Sequence, residues 1–143
     1  MTAAAVRRFR NRGAFLVTIG AAWVGYGLGI ICDPRYGTAR GLVHITAYVP
    51  LRVLGCMWVV CGAVSVLGAL LGCARGQATG FLAIATPAAI WGAAFTITWA
   101  GGGYPSASGS ACGWAGFALG ILWVSGMDDP PPRPRTKGVV ARE

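Results

Sequence analysis

Charge is what this sequence has least of. Only 11% of its 143 residues are charged and only four are acidic, against about 25% charged in an ordinary soluble domain. Such a chain cannot cover a water-facing surface, and with 55% hydrophobic residues its natural solvent is lipid. Histidine occurs once, at His44, and no CxxC pair or clustered His has the spacing of a zinc site. Cysteine occurs at 32, 56, 61, 73 and 112, an odd count that argues against a disulfide framework. Cys56 and Cys61 lie in an apolar run and read as small hydrophobes. Cys32 and Cys112 fall at helix ends on the same side, so a bridge between those two is open.

What is present is a series of long apolar runs. Residues 14–32 continue for 19 positions without a charge, close to the ~20 needed to cross ~30 Å of hydrocarbon at 1.5 Å per residue. Four Arg and no acid precede them in the segment 1–13. A cleavable signal peptide has the same order of basic flank and apolar core, but its core is typically 7–15 residues, so a retained helix fits better. Further spans are expected at 51–73, 80–100 and 111–127. Pro50 suits the entry to the second, because the first turn has no hydrogen bond for proline to lose. Arg52 lies in that same first turn, where a long side chain snorkels to the interface. The short link 74–79, with Arg75, forces an antiparallel hairpin. Pro87 should kink the third span and free the carbonyl four residues back, a defect that neighbouring groups repair within a membrane bundle. The uncharged loop 101–110 is rich in turn residues. After Met127, Asp128, Asp129 and three prolines stop the fourth span and open a polyproline-like basic tail, 128–143.

The fold class expected is therefore all-α, an integral membrane four-helix bundle. Placing the N-terminus inside puts nine Lys and Arg in the cytoplasm and leaves three, Arg35, Arg40 and Arg52, outside. The positive-inside rule then sets both termini in the cytoplasm of a multi-pass plasma-membrane protein. The net charge of +8 gathers at the two ends, which fits anionic lipid headgroups as a partner. Tails of about a dozen residues do not form the surface that nucleic acid requires.

Helices associate in lipid through close packing of small residues. The stripes expected to carry this are Thr18, Ala22, Gly25 and Gly29; Gly62, Ser65, Ala69 and Gly72; Ala85, Ala89, Gly92 and Thr96; and Gly109, Gly113, Gly116 and Gly120. Within them Gly25/Gly29 and Gly116/Gly120 fit GxxxG, as does Gly68/Gly72, and such faces also allow a homo-oligomer. Trp99, Tyr104 and Trp114 should form an outer aromatic belt, and Trp23, Trp58 and Trp91 should pack inside the bundle.

No ionisable side chain lies well inside any span. A proton- or ion-coupled transporter needs one there to bind and release the coupled charge, so that class is disfavoured. The external segment 32–52 is the one place where ionisable groups gather: Asp33, Arg35, Arg40, His44 and Arg52. Asp33-Pro34 starts a turn, and the residues offer no nucleophile and base at a recognisable spacing. The expected role of the cluster is structural or a contact with a partner, without catalytic residues, cofactor or metal. Residues 38–49 have the pattern of a short interfacial helix with Leu42, Val43, Ile45 and Val49 toward lipid.

The segment GAAWVGYGLGIICDPRYGTARGL, 20–42, resembles the corresponding part of small four-span membrane proteins of actinobacterial tailed phages and prophages. Trp58 with Cys61-Gly62, the third span through Trp91-Gly92 to Tyr104-Pro105, and the Asp/Pro-rich end 127–132 match as well. The resemblance implies a phage or prophage membrane protein and carries no catalytic residues to transfer. A non-enzymatic structural or interaction role is the first expectation, a holin-like lysis protein that permeabilises the membrane the alternative, and a small transporter or channel the third.

Overall fold

The computed structural model describes residues 11–33 and 41–127. Its elements are α1 (Asn11–Cys32), α2 (Val43–Thr46), α3 (Leu51–Leu71), α4 (Ala74–Ala100) and α5 (Ala107–Gly126). Four of the five are long and apolar enough to cross a membrane, and among the described residues there is no strand. The basic segment before residue 11, residues 34–40 and the tail 128–143 lie outside the described residues, and with them Arg35 and Arg40.

The helix boundaries differ from expectation where glycine and cysteine chemistry acts. α3 stops two residues short of 73, because Gly72 turns left-handed (φ 64°) and its N–H bonds Ala69 O. Cys73 then caps α4, its Sγ accepting the Gly76 N–H at 3.3 Å. The expected link 74–79 is therefore the first turn and a half of α4. At the other end of α4 the run Gly101-Gly102-Gly103 closes the helix: Gly102 is left-handed (φ 76°), its N–H bonds Trp99 O, and Gly103 N–H bonds Thr98 O. That pairing is the Schellman arrangement, which needs a residue free to take positive φ.

α1 packs chiefly on α3, α3 on α4, and α4 on α5, with a lesser contact between α1 and α4. The tightest seam joins α1 and α3. The buried face of α1 is Gly13, Leu16, Gly20, Trp23, Gly27 and Ile30, glycine and a large side chain alternating within a period of seven. Gly55 and Gly62 of α3 answer it. A Cβ on Gly20 would stand 2.7 Å from Gly62 O, one on Gly62 2.5 Å from Gly20 O, and Gly27 and Gly55 face each other in the same reciprocal way. The glycine Cα–H groups thus point at carbonyls across the seam, a weak hydrogen bond that recurs between closely packed helices. A seven-residue period holds one face against its partner at a shallow left-handed crossing near +20°.

This seam corrects the expected stripes. Thr18, Ala22, Gly25 and Gly29 are all exposed on the opposite face of α1, and among the described residues a Cβ built on Gly25 or Gly29 meets no other helix within 4 Å. Gly109, Gly113, Gly116 and Gly120 of α5 likewise meet nothing; α5 instead buries Ala107, Ala111, Ala118 and Ile121. In α3 the expected Gly62, Ser65 and Ala69 are buried, and Gly68 closes on Gly76 O across the turn, whereas Gly72 serves the turn itself. In α4 Ala85 and Gly92 are buried, and Ala89 and Thr96 face outward.

Polar groups cross the bundle one at a time. Ser65 Oγ donates to Leu16 O at 3.0 Å, joining α3 to α1, and Trp23 Nε1 donates to Ile84 O at 3.0 Å, joining α1 to α4. Ile84 lies in the turn before Pro87, and its carbonyl is the neighbour of that of Ala83, the one proline deprives of its donor. Arg12 Nη2 donates to Ser125 O at 2.8 Å. A cation from the start of α1 thereby covers a last-turn carbonyl of α5, the negative end of that helix.

Candidate functional site

Aromatic rings fill the centre. Trp58 and Trp91 are fully buried and meet edge to face at 5.0 Å and 88°; Trp23 meets Trp58 at 4.7 Å and 79°. Tyr26 joins Trp58 at 4.8 Å. Trp114, expected in an outer belt, belongs to this cluster instead, 5.4 Å from Trp58 and 6.1 Å from Trp23. Of the other expected belt residues Trp99 is 54% exposed and Tyr104 half-buried. Trp23, Trp58 and Trp91 pack inside the bundle as expected. The indole N–H groups of Trp58 and Trp91 have no conventional acceptor, and their edge-to-face neighbours present the π density to which such a donor can turn.

The segment 41–50 is fastened to the end of α4. Thr98, buried, donates from Oγ1 to Gly41 O at 2.8 Å. The Phe95 ring lies where a Gly41 side chain would stand, and Leu42 is fully buried. This corrects the expected direction of the segment: Leu42, Ile45 and Val49 pack on the core, and of the four residues expected toward lipid Val43 alone is exposed, while residues 38–40 of the expected helix lie outside the described residues. Leu42 goes inward because Gly41 lets the backbone approach Phe95, which opens a place for it.

That fastening leaves a cavity of about 380 Å³ lined by Val43, His44, Thr98, the glycines 101–103 and Tyr104. His44 therefore belongs with the loop 101–104 across the bundle end. Asp33 and Arg52 are exposed where α1 ends and α3 begins, and among the described residues no ion pair joins them. Of the three cluster residues among the described residues, His44 is the one that meets groups the sequence did not assign to it, Thr98 and Tyr104. An imidazole beside a phenol and three glycine backbones can exchange hydrogen bonds with a polar group at the membrane surface. Among the described residues no group of three His, Cys, Asp or Glu could hold a metal ion. The five cysteines are all free thiols, and Cys32 and Cys112 are exposed without a bridge between them.

A second opening lies at the other end of the molecule. Between α1 and α5 runs an apolar groove of about 430 Å³, lined by Phe15, Ile19, Gly116, Phe117, Gly120, Ile121 and Val124. Trp23 and Phe117, 5.1 Å apart, close its upper end. Beyond Val124, Arg12 reaches from α1 to Ser125 O of α5 and lies 5.2 Å over the Phe81 ring. Comparison with family models, curated proteins and solved structures returns no match to this chain.

Proposed function

We propose that this chain is a non-enzymatic multi-pass protein of the bacterial cytoplasmic membrane that acts through its outer surfaces as a structural or interaction component. The observation that carries the reading is the interior. A bundle whose centre is packed with Trp23, Trp58, Trp91 and Trp114, and whose spans hold Arg only in their first turns at Arg12, Arg52 and Arg75, has no group there to bind and release an ion. Nine of the twelve basic residues flank one side of the four spans, which supports both termini in the cytoplasm. The resemblance to actinobacterial phage and prophage proteins supports that origin.

One observation favours a holin-like alternative. The outward glycines of α1 and α5 are open to another helix, as an oligomer that permeabilises a membrane requires. Inducible expression of the full chain in bacteria separates the two. Unimpaired growth, with the protein recovered from the membrane fraction, is the expected result; an abrupt loss of membrane potential would overturn it in favour of the holin. Substrate-dependent flux in vesicles would overturn both.

A further inference from the structure

We propose that the groove between α1 and α5 holds one acyl chain of an anionic phospholipid, with the headgroup at Arg12. The inference goes beyond the role proposed above and rests on only one part of it, membrane insertion. The groove opens sideways, and its walls are apolar: Phe15 and Ile19 on one side, Phe117, Ile121 and Val124 on the other, with Gly116 and Gly120 leaving the space that a side chain would fill. Its size decides between a lipid chain and a helix. The eight steps from Gly116 to Val124 rise about 12 Å, so 430 Å³ corresponds to a cross-section of roughly 36 Å². A helix about 10 Å across has a cross-section of roughly 80 Å², more than twice what the groove offers. A second copy of the chain could lie over the groove but could not seat in it, whereas a single hydrocarbon chain can.

Charge selects the headgroup. The lower end of the groove is the end of the bundle where α1 begins, the turn into α4 lies and α5 ends. Among the described residues it carries Arg12 and Arg75 and no acid, and the sequence before residue 11 and after residue 127 adds seven Lys and Arg against three acids, an excess of positive charge of the kind that attracts anionic lipid. Of the two described, Arg12 reaches across the mouth, from α1 to Ser125 O of α5.

The test uses the full chain reconstituted in mixed vesicles of phosphatidylcholine and phosphatidylglycerol, with chain-labelled lipid of each kind reporting the motionally restricted fraction by electron spin resonance. The wild-type chain should restrict phosphatidylglycerol about five-fold more strongly at this site, equivalent to the ~1 kcal/mol of one basic side chain near an anionic surface. Arg12→Gln should abolish that preference, and Arg75→Gln, which removes the same charge from the same end away from the groove, should keep it. Gly120→Leu, at a position where a Cβ meets nothing, should fill the groove and remove restricted lipid of both kinds, while Gly25→Leu on the open face of α1 should not. Equal loss in Arg12→Gln and Arg75→Gln would overturn the headgroup assignment. An unchanged restricted fraction in Gly120→Leu, or a dimer that Gly120→Leu disperses, would overturn the lipid in the groove. Tryptophan near-UV circular dichroism identifies any variant that has lost the bundle, and Gly116→Leu then repeats the test. Absence of the chain from the membrane fraction would refute the membrane reading itself.

Discussion

One methyl group at Gly62 tests the seam that holds α1 to α3. A Cβ there would stand 2.5 Å from Gly20 O and 2.9 Å from both the backbone nitrogen and Cγ2 of Val24. Two of those three atoms are helix backbone and cannot swing aside, so the helices must separate. Ordinary carbon–oxygen contacts are about 3.3–3.6 Å, which sets the separation at roughly 1 Å. Three contacts then suffer together: the reciprocal pair Gly27/Gly55, the 3.0 Å bond from Ser65 to Leu16 O, and the 4.7 Å ring contact of Trp23 with Trp58. Overpacking of this kind costs about 1–3 kcal/mol, and an interhelical hydrogen bond in a membrane protein averages about 0.6 kcal/mol. Gly62→Ala is therefore expected to lower stability by about 2–3 kcal/mol. Gly25→Ala supplies the contrast, since its Cβ meets nothing and alanine gains up to ~1 kcal/mol of helix propensity over glycine. Unfolding of the full chain in mild detergent by added dodecyl sulfate, followed by near-UV circular dichroism of the tryptophans, compares the two. Equal midpoints for Gly62→Ala and Gly25→Ala would refute the seam.

Four further substitutions test single positions. Thr98→Val keeps the shape but removes the donor to Gly41 O, and should cost about 1 kcal/mol and speed amide exchange over residues 41–49 without changing exchange in α3. Ser65→Ala should cost about 0.6–1.7 kcal/mol through its lost bond to Leu16 O; Trp23→Phe should cost more in the same unfolding assay, because it removes both the bond to Ile84 O and ring volume from the centre. Asp33→Ala should stay within about 0.5 kcal/mol of wild type, the usual range for an exposed position without a partner, and a larger loss would show that the end of α1 depends on that carboxylate.

The existence of the four helices was legible because span length is set by bilayer thickness, and the apolar runs meet it. Which face of each helix turns inward was not legible. In a soluble helix the polar face marks the outside, but here lipid is as apolar as the core, so Leu67, Leu82 and Leu119 are exposed while Leu16 and Leu54 are buried. Glycine spacing was the remaining signal, and a four-residue spacing selected Gly25/Gly29 and Gly116/Gly120, which face no neighbouring helix among the described residues. The informative spacing was seven: Gly13, Gly20 and Gly27 interleaved with Leu16, Trp23 and Ile30, and Gly55 with Gly62. His44 illustrates a different limit. Its partners at Thr98 and Gly101 to Tyr104 lie more than fifty residues away in sequence, and no periodicity within one segment encodes a meeting of two loop ends.

The four helices are fastened unequally, and that bears on where an interaction role could reside. α1 and α3 touch backbone to backbone at two glycine pairs and share a buried hydrogen bond. α5 is the least buried of the four spans. Its close backbone approach to α4 is at Gly92, where a Cβ would lie 3.2 Å from the Ala115 nitrogen, and otherwise rings and the Arg12 bond tie it to α1. A partner that replaces lipid along Gly109, Gly113, Leu119 and Trp123 would therefore break none of the backbone contacts that hold the bundle. Substitutions on that face can abolish an interaction while leaving the unfolding midpoint unchanged, whereas substitutions on the α1–α3 seam must lower both together. The outward face of α5 is thus where loss of activity can be separated from loss of fold.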